Sequence, residues 1–239
     1  METLCQVGTK QMGERKMDDI ILYHGSRGGL EGKIRPISRV RCDFGQGFYM
    51  GESEEQAKGL IVEDTSPVLY TMKLKLSEIP ESCILRLQNK DWIYAVLANR
   101  RRIADFNKLS IADYWISELN KYDVVIGPIA DDRMNEAMQR FSDYTLSDEG
   151  LNACLQYVKY GEQYVAKSEF ACSKIEILSE RLIKEDELDA VRKYAQEKRM
   201  EGRDIVSKMT IEYRNRGQYL DEILTNQRMI ERNRRQSGR

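Results

Sequence analysis

The sequence predicts an α+β domain over residues 19–180 and a charged helical extension over residues 181–239. Short runs of β-forming residues recur through the first part and alternate with segments whose apolar residues follow a helical period. From about Leu182 onward proline is absent and charges of both signs are dense, which favours one or two long helices. The polar segment 1–18 precedes the first strand and is predicted to be a flexible N-terminus.

The predicted strands are short, and several contain glycine or proline. The first is Ile20–Tyr23, which ends at His24-Gly25-Ser26. We predict an edge strand over Ile34–Ile37, because its proline cannot donate to a ladder, and a strand with two glycines over Asp43–Met50. The clearest alternation of apolar and polar residues lies in Pro67–Leu76. Further strands are predicted at Tyr122–Ile126, Gln163–Ala166 and Ile175–Leu178.

Helices are predicted from capping residues and from apolar stripes. Ser53 precedes the acidic pair Glu54-Glu55 and is the predicted N-cap of a helix that begins there. The segment Trp92–Ile103 has apolar residues on one helical face, namely Trp92, Ile93, Val96 and Leu97. Two more helices are predicted at Asp132–Phe141 and Ser147–Val158.

The composition argues against several classes of protein. The net charge is −1, so no overall basic field indicates nucleic-acid binding. The five cysteines lie far apart and form no Cys-x-x-Cys pair, which argues against a zinc site or a disulfide framework. No apolar run reaches the roughly 18 residues that a membrane span needs, and the first residues lack an apolar signal segment. We therefore expect a cytoplasmic protein with no metal ion and no membrane contact.

Two segments carry the candidate chemistry. His24 is the only histidine, and the glycine after it lets a ligand approach the backbone closely. The alternative is a structural histidine at a strand end. In Asp43–Tyr49, Gly45 and Gly47 relieve crowding in a twisted strand, or the segment forms a cleft wall on which a flat ring stacks against Tyr49. Each segment alone is a weak signal.

Together, these segments resemble the ADP-ribosyltransferase superfamily, and most closely a bacterial branch of domains of unknown function. The likeness covers residues 20–178 in the order and spacing of the family, and residues 181–239 lie outside it. It implies a split β-sandwich with flanking helices. The matching motifs are Tyr23–Ser26, Asp43–Tyr49, Ser53–Ala57, Asp91–Arg100, Tyr122–Asp132 and Glu162–Val165.

The resemblance implies that NAD⁺ binds at the ends of the first strands. His24 matches the histidine that hydrogen-bonds a ribose of NAD⁺, and Gly25 matches the glycine whose backbone groups meet the nicotinamide amide. Ser26 is a nearby polar contact, and Tyr49 matches the aromatic residue that stacks on the nicotinamide ring. Three further residues of the second motif are expected to line the NAD⁺ site, namely Gly45, Gly47 and Phe48.

The third catalytic position is Gln163 or its neighbour Glu162. Gln163 matches the place of the family's Glu, Asp or Gln best, but a register slip of one residue would bring Glu162 there instead. Glutamine can bind a ribose hydroxyl but carries no charge. A base for the acceptor would then be Glu162, Asp131 or Asp132, and the two aspartates are also typical of a helix N-terminus. Arg100–Arg102 would grip the NAD⁺ diphosphate or end a helix in solvent.

The resemblance implies an enzyme that cleaves the nicotinamide–ribose bond of NAD⁺ and transfers ADP-ribose to a macromolecular acceptor, a protein in preference to a nucleic acid. It also implies a toxin of a toxin–antitoxin or phage-defence system. NAD⁺ would be consumed as a substrate. The alternatives are an NAD⁺ glycohydrolase and a catalytically weak module that binds NAD⁺ or ADP-ribose. The C-terminal helices either pack on the domain or dock an antitoxin, an inhibitor protein or a second copy.

Overall fold

The computed structural model describes residues 17–61, 66–101, 103–129, 132–157 and 161–237. Within these ranges the fold is mixed, with one seven-stranded sheet and helices packed against it, which confirms the predicted α+β class at that level. The predicted flexible N-terminus, residues 1–18, lies almost entirely outside the described residues, and so do Arg102 and Asp131.

The strands are β1 (Ile20–Ser26), β2 (Phe48–Gly51), β3 (Val68–Leu74), β4 (Ile84–Arg86), β5 (Val124–Pro128), β6 (Glu162–Ala166) and β7 (Ile175–Leu182). They are arranged in the order β4-β5-β6-β2-β1-β3-β7. The described pairs are antiparallel except for β4 with β5, which are parallel. In this order β2 lies between β6 and β1 in the middle of the sheet, although β6 lies far from both along the chain.

The helices are α1 (Glu54–Gly59), α2 (Asn89–Arg100), α3 (Ser110–Leu119), α4 (Asp132–Ser142), α5 (Asp148–Tyr157), α6 (Glu169–Cys172), α7 (Glu185–Glu212) and α8 (Leu220–Ser237). Short 3-10 helices lie at Leu76–Glu78, Glu81–Cys83 and Phe106–Lys108. Ser53 caps α1 as predicted, because its hydroxyl accepts a hydrogen bond from the backbone N–H of Gln56. None of the helices in the described part of the chain combines the length and the apolar character that crossing a membrane requires.

Two strand predictions before β3 are wrong. Residues Ile34–Ile37 form no strand, and the backbone N–H of Ile37 instead donates to the carbonyl of Arg35 in a tight turn. The strand predicted over Asp43–Met50 begins only at Phe48. Residues 43–47 form a loop instead, in which Gly45 has a positive φ of 75° that suits glycine.

Each face of the sheet has its own buried core. On one face, Val125 and Val165 pack with helix residues that include Trp92. On the other face, Leu22 and Met72 pack among residues from the short helices and neighbouring loops. Because successive side chains of a strand point to opposite faces, neighbouring residues of β2 belong to different cores.

The helices that follow β7 contribute to these cores. Ile205 and Met209 of α7 and Ile223 of α8 belong to the same buried cluster as Trp92. At its beginning, α7 packs through Leu188 against α1 in a third cluster. Helix α7 therefore packs on α1, α4 and α5.

Ion pairs also join α1 to α7. Lys58 of α1 lies 2.7 Å from both Glu54 and Glu187, and Arg181 contacts the same two carboxylates at 2.9 and 2.7 Å. Hydrogen bonds from Arg181 and Lys58 lower the pKa of Glu187 to about 2. These contacts restrict the movement of α1 relative to the rest of the fold.

Candidate functional site

Most of the predicted site residues lie on the adjacent strands β1, β2 and β6, whereas Gly45 and Gly47 lie in the loop before β2. In β2, Gly51 pairs with Tyr23 of β1 on one side and with Gln163 of β6 on the other. β1 and β2 are paired at Tyr23 and Gly51, whereas β1 continues along β3 as far as Ser26. The pairing of β1 with β2 therefore ends at Tyr23, directly before His24.

The side chain of His24 connects β1 to β2 directly after their last paired residues. Its Nδ1 lies 2.7 Å from the backbone carbonyl oxygen of Tyr49, and its ring stacks on Phe48 with 4.4 Å between centroids. A carbonyl oxygen only accepts hydrogen bonds, so Nδ1 carries the proton and the neutral ring presents Nε2 as an acceptor. No described residue donates to Nε2. Burial lowers the pKa of His24, while the bond to Tyr49 opposes that shift.

The only histidine of the chain allows a direct test of this protonation state. Because burial lowers its pKa, we expect the Cε1–H resonance of the untagged protein to titrate below the ordinary value of 6.5, so that the ring is neutral at pH 7. The unfolded chain then binds the proton at a higher pH than the folded chain does. The free energy of unfolding should accordingly fall as the pH is lowered through this window. The same protein in denaturant is the control, and a folded-state midpoint at or above 6.5 would contradict the assignment.

The imidazole of His24 and the phenol of Tyr49 lie on different faces of the sheet. His24 packs against Phe48 and near Tyr70, whose side chains belong to one core. Tyr49 packs against the opposite core, and its position along β2 puts it on the same face as Gln163. The structure thus places Tyr49 and Gln163 on one face, with Gln163 two residues along β6 from the partner of Tyr49, and His24 contacts the backbone of β2 from the other face.

The phenol of Tyr49 fixes the loop that precedes it. Its hydroxyl donates to the carbonyl of Gly45 at 2.7 Å and accepts from the backbone N–H of Phe44 at 3.0 Å. Burial and the nearby Asp43 carboxylate raise the pKa of Tyr49 well above its ordinary value, so the hydroxyl stays protonated at neutral pH. This structural role of the hydroxyl was not predicted, and it leaves the half-buried ring as the part of Tyr49 that a ligand can contact.

Gln163 is buried, and its amide group has one possible orientation. The Nε2 group donates to Asp43 Oδ2 and to the carbonyl of Pro128, both at 3.0 Å. Both partners accept hydrogen bonds only, so nitrogen must face them and Oε1 must face away. Among the described residues none donates to Oε1, which remains an acceptor.

The neighbouring Glu162 lies outside this cluster. Its carboxylate pairs with the guanidinium of Arg86, and its backbone N–H donates to Glu52 at 2.8 Å. Side-chain alternation along β6 directs it to the face opposite that of Gln163. Of the two residues predicted for the third position, Gln163 is therefore the one that shares a face with Tyr49.

The predicted NAD⁺-binding glycines are closely packed by protein atoms. A Cβ built on Gly25 would lie 2.3 Å from the carbonyl oxygen of Ala57 in α1, and one on Gly47 would lie 2.4 Å from a side-chain atom of Val165. Phe48 is buried beneath His24. These positions need glycine or an apolar ring for packing, whether or not a ligand is bound.

Two predicted polar contacts have protein partners. The hydroxyl of Ser26 donates to the carbonyl of Gly29 at 2.8 Å, which closes the turn after β1. Arg100 donates through Nε to Asp43 at 2.6 Å, where a phosphate contact had been one of two expectations. The alternative, a helix end in solvent, is not observed for Arg100, whose side chain is 12% exposed, but it is observed for Arg101, the exposed C-cap of α2.

Sequence reasoning missed Asp43 and Lys167 as parts of the site. Asp43 binds both Gln163 and Arg100, and Lys167 Nζ donates to the carbonyl of Phe44 at 2.5 Å. Burial lowers the pKa of Lys167 to about 8. The only sequence signal for Asp43 is its place at the start of the second motif, which does not reveal partners that are distant along the chain.

Two pockets lie among the described residues. One, of about 280 Å³, is bordered by α2 and α4 and includes Arg100, Met138 and Asp143, and the other is an open depression around Arg86 and Lys90. Neither of these two pockets is lined by His24, Tyr49 or Gln163. The segments that follow α1 and β5, residues 62–65 and 130–131, lie outside the described residues, as does the side chain of Asp132.

Comparison with known proteins gives one family match. A family model described as "Protein of unknown function (DUF3990)" matches residues 20–177, which is well over half of the chain. Searches of curated proteins and of solved structures found no match. The matched range begins with β1 and ends within β7, so it contains every strand from which the candidate site is built.

Proposed function

We propose that this chain, which belongs to the family described as a protein of unknown function (DUF3990), binds NAD⁺ and transfers its ADP-ribose to a macromolecular acceptor. The observation that supports the proposal is a hydrogen-bond acceptor on each side of β2: Gln163 Oε1 on the face that carries the half-buried Tyr49 ring, and His24 Nε2 on the other face, joined to the Tyr49 backbone through Nδ1. An ADP-ribosyltransferase-like split sheet is part of the proposal, and the end of the pairing between β1 and β2 at Tyr23 supports it.

The acceptors suit the ribose groups of a dinucleotide. Ribose hydroxyls donate hydrogen bonds, and both the neutral imidazole and the oriented amide offer a lone pair to them. The face that carries Tyr49 also presents a flat aromatic surface for the nicotinamide ring. Because His24 lies on the opposite face of β2 from Tyr49, a bound NAD⁺ would have to cross from one face to the other beyond the paired residues of β1 and β2 to reach both.

Cleavage of the nicotinamide–ribose bond needs little covalent help from the protein. Nicotinamide leaves as a neutral molecule and the ribose takes on oxocarbenium character, so catalysis consists of fixing the ribose and stabilising positive charge. His24 and Gln163 would fix the hydroxyls. The acceptor's nucleophile then attacks the anomeric carbon and loses its proton to a base, for which the uncharged Gln163 is unsuitable.

A module that binds NAD⁺ or ADP-ribose without turnover is the second candidate. The uncharged Gln163 favours it, since Glu162, the adjacent carboxylate, is paired with Arg86 on the other face. A glycohydrolase is a variant of the first proposal in which water is the acceptor, so it needs no binding site for a macromolecule. The products of the reaction separate these three functions.

The test is incubation of the purified full chain with NAD⁺, with and without cell lysate. We expect nicotinamide release, measured by chromatography, and added ADP-ribose on a macromolecule, found by mass spectrometry. His24→Ala should reduce the rate by about 10- to 100-fold, as expected for one lost hydrogen bond to substrate. His24→Phe is the matched variant, because it keeps a ring against Phe48 but has no acceptor.

Each result of this test leads to a different conclusion. Free ADP-ribose without labelled macromolecule would indicate a hydrolase, and calorimetric binding without nicotinamide release would indicate a binding module. A wild-type chain that neither binds nor cleaves NAD⁺ would refute the proposal. Growth inhibition on expression of the wild type, relieved by His24→Phe, would support the toxin role.

A further inference from the structure

Asp43 lies between two residues that come from distant parts of the chain. Its Oδ1 accepts from Arg100 Nε at 2.6 Å, and its Oδ2 accepts from Gln163 Nε2 at 3.0 Å. The side chains of Asp43 and Arg100 are 13% and 12% exposed, so this contact is largely removed from solvent. A shielded pair of this kind holds its geometry better than a pair on the surface.

The contact with Asp43 decides which atom of Gln163 is offered to a ligand. An amide side chain can rotate by half a turn and exchange its oxygen and nitrogen. Here the carboxylate of Asp43 and the carbonyl of Pro128 both require the nitrogen, so the rotated state would place two oxygens against two oxygens. The acceptor Oε1 of Gln163 therefore points away from Asp43 and Pro128.

We propose that Asp43 is a positioning residue that keeps Gln163 Oε1 aimed at the NAD⁺ ribose, and that Arg100 holds Asp43 in place. This inference rests on the proposed function. It adds a charged residue to a site whose third member carries no charge. Without Asp43, only the carbonyl of Pro128 would hold the Gln163 nitrogen, so the amide would turn more readily to present a donor, and only the acceptor suits a ribose hydroxyl.

The same contact gives a physical reason for glutamine at position 163. A glutamate there would bring a second carboxylate to within about 3 Å of Asp43, and two such groups cannot both stay ionised at low cost. It would also face the carbonyl of Pro128, which has no proton to donate. Gln163→Glu is therefore expected to impair this chain.

The experiment is a double-mutant cycle at positions 43 and 163. Asp43→Asn and Gln163→Glu are each expected to lower kcat/KM for nicotinamide release by about tenfold or more. The pair of substitutions exchanges the acid and the amide between the two positions and restores one hydrogen bond with its direction reversed. We expect the double variant to lose no more than the worse single variant, because residues that act through each other are not additive.

A second readout does not depend on turnover. The side-chain NH₂ resonances of Gln163, assigned by their loss in Gln163→Ala, should shift and exchange faster in Asp43→Asn at a temperature where both proteins are folded. Asp105→Asn is the charge-matched control, because Asp105 forms exposed ion pairs with Lys108 and Arg228. It should change neither the resonances nor kcat/KM.

Two outcomes would overturn the inference while the proposed function survives. Gln163→Glu could be as active as the wild type, or the losses of the two single variants could multiply in the double variant. If the wild type neither binds nor cleaves NAD⁺, the proposed function itself fails, and Asp43 is left with a structural role that the resonances of Gln163 would still report.

Discussion

Replacement of Trp92 by alanine is expected to lower the free energy of unfolding by about 3–5 kcal/mol, the range for loss of a large buried aromatic side chain. Trp92 is completely buried, and its Nε1 donates to the carbonyl of Pro128 at 2.9 Å. The same carbonyl accepts from Gln163, so the loss of Trp92 also loosens one of the two anchors of the candidate site. For a chain of this size the melting temperature should fall by roughly 10 °C.

Trp92→Phe is the matched control. It keeps most of the apolar volume and removes the hydrogen bond to Pro128, whose carbonyl retains Gln163 as a donor. Its cost should be closer to 1 kcal/mol, about that of one net hydrogen bond. Chemical denaturation followed by the fluorescence of Trp115, the other tryptophan, measures both variants. Equal stability of wild type and Trp92→Ala would mean that Trp92 is not at the centre of the core.

Gly25→Ala is expected to destabilise the fold by about 1–3 kcal/mol, the usual range for overpacking, and to reduce the proposed NAD⁺ cleavage more than that loss explains. The added Cβ would lie 2.3 Å from the backbone oxygen of Ala57, so α1 or β1 has to move. The ion pair between Lys58 and Glu187 and the packing of Leu188 hold α1 against α7. The strain then falls on β1, which carries His24.

Gly28→Ala, three residues along, is the control for this change. Nothing lies within 4 Å of a Cβ at Gly28, and the position is exposed. The free energy of unfolding of this variant should lie within a few tenths of a kcal/mol of the wild-type value, as for ordinary surface substitutions. The readouts are thermal melts and nicotinamide release. If Gly25→Ala had the stability and the rate of nicotinamide release of the wild type, α1 would have moved to accommodate the added Cβ. The close packing at Gly25 would then not be needed for function.

Most of the regular elements follow from local sequence signals. β1, β3, β5 and β6 were predicted because their apolar residues are contiguous or alternate, and α1 because Ser53 caps it. β4 is too short to produce a pattern, since it has three residues and depends on its pairing with β5. The strand predicted over Asp43–Met50 failed because the glycine at position 45 and the hydroxyl of Tyr49 stabilise a loop.

The site was predictable only in part. The positions of His24, Tyr49 and Gln163 on neighbouring strands follow the order of the motifs, but their faces depend on register. Local sequence cannot reveal that Asp43 bonds to Gln163, because that contact is created by the sheet order. For the same reason Arg100 was expected at a phosphate or in solvent, and its carboxylate partner was missed.

The position of α8 has a consequence for how the protein is made. Leu220, Ile223 and Leu224 belong to the core that also contains Phe44 and Val125, so residues from both ends of the chain are needed to complete it. During translation, this core therefore stays incomplete until α8 has been made, and chaperones have the opportunity to bind its exposed apolar residues. A nascent chain completes the core only after synthesis has passed residue 224.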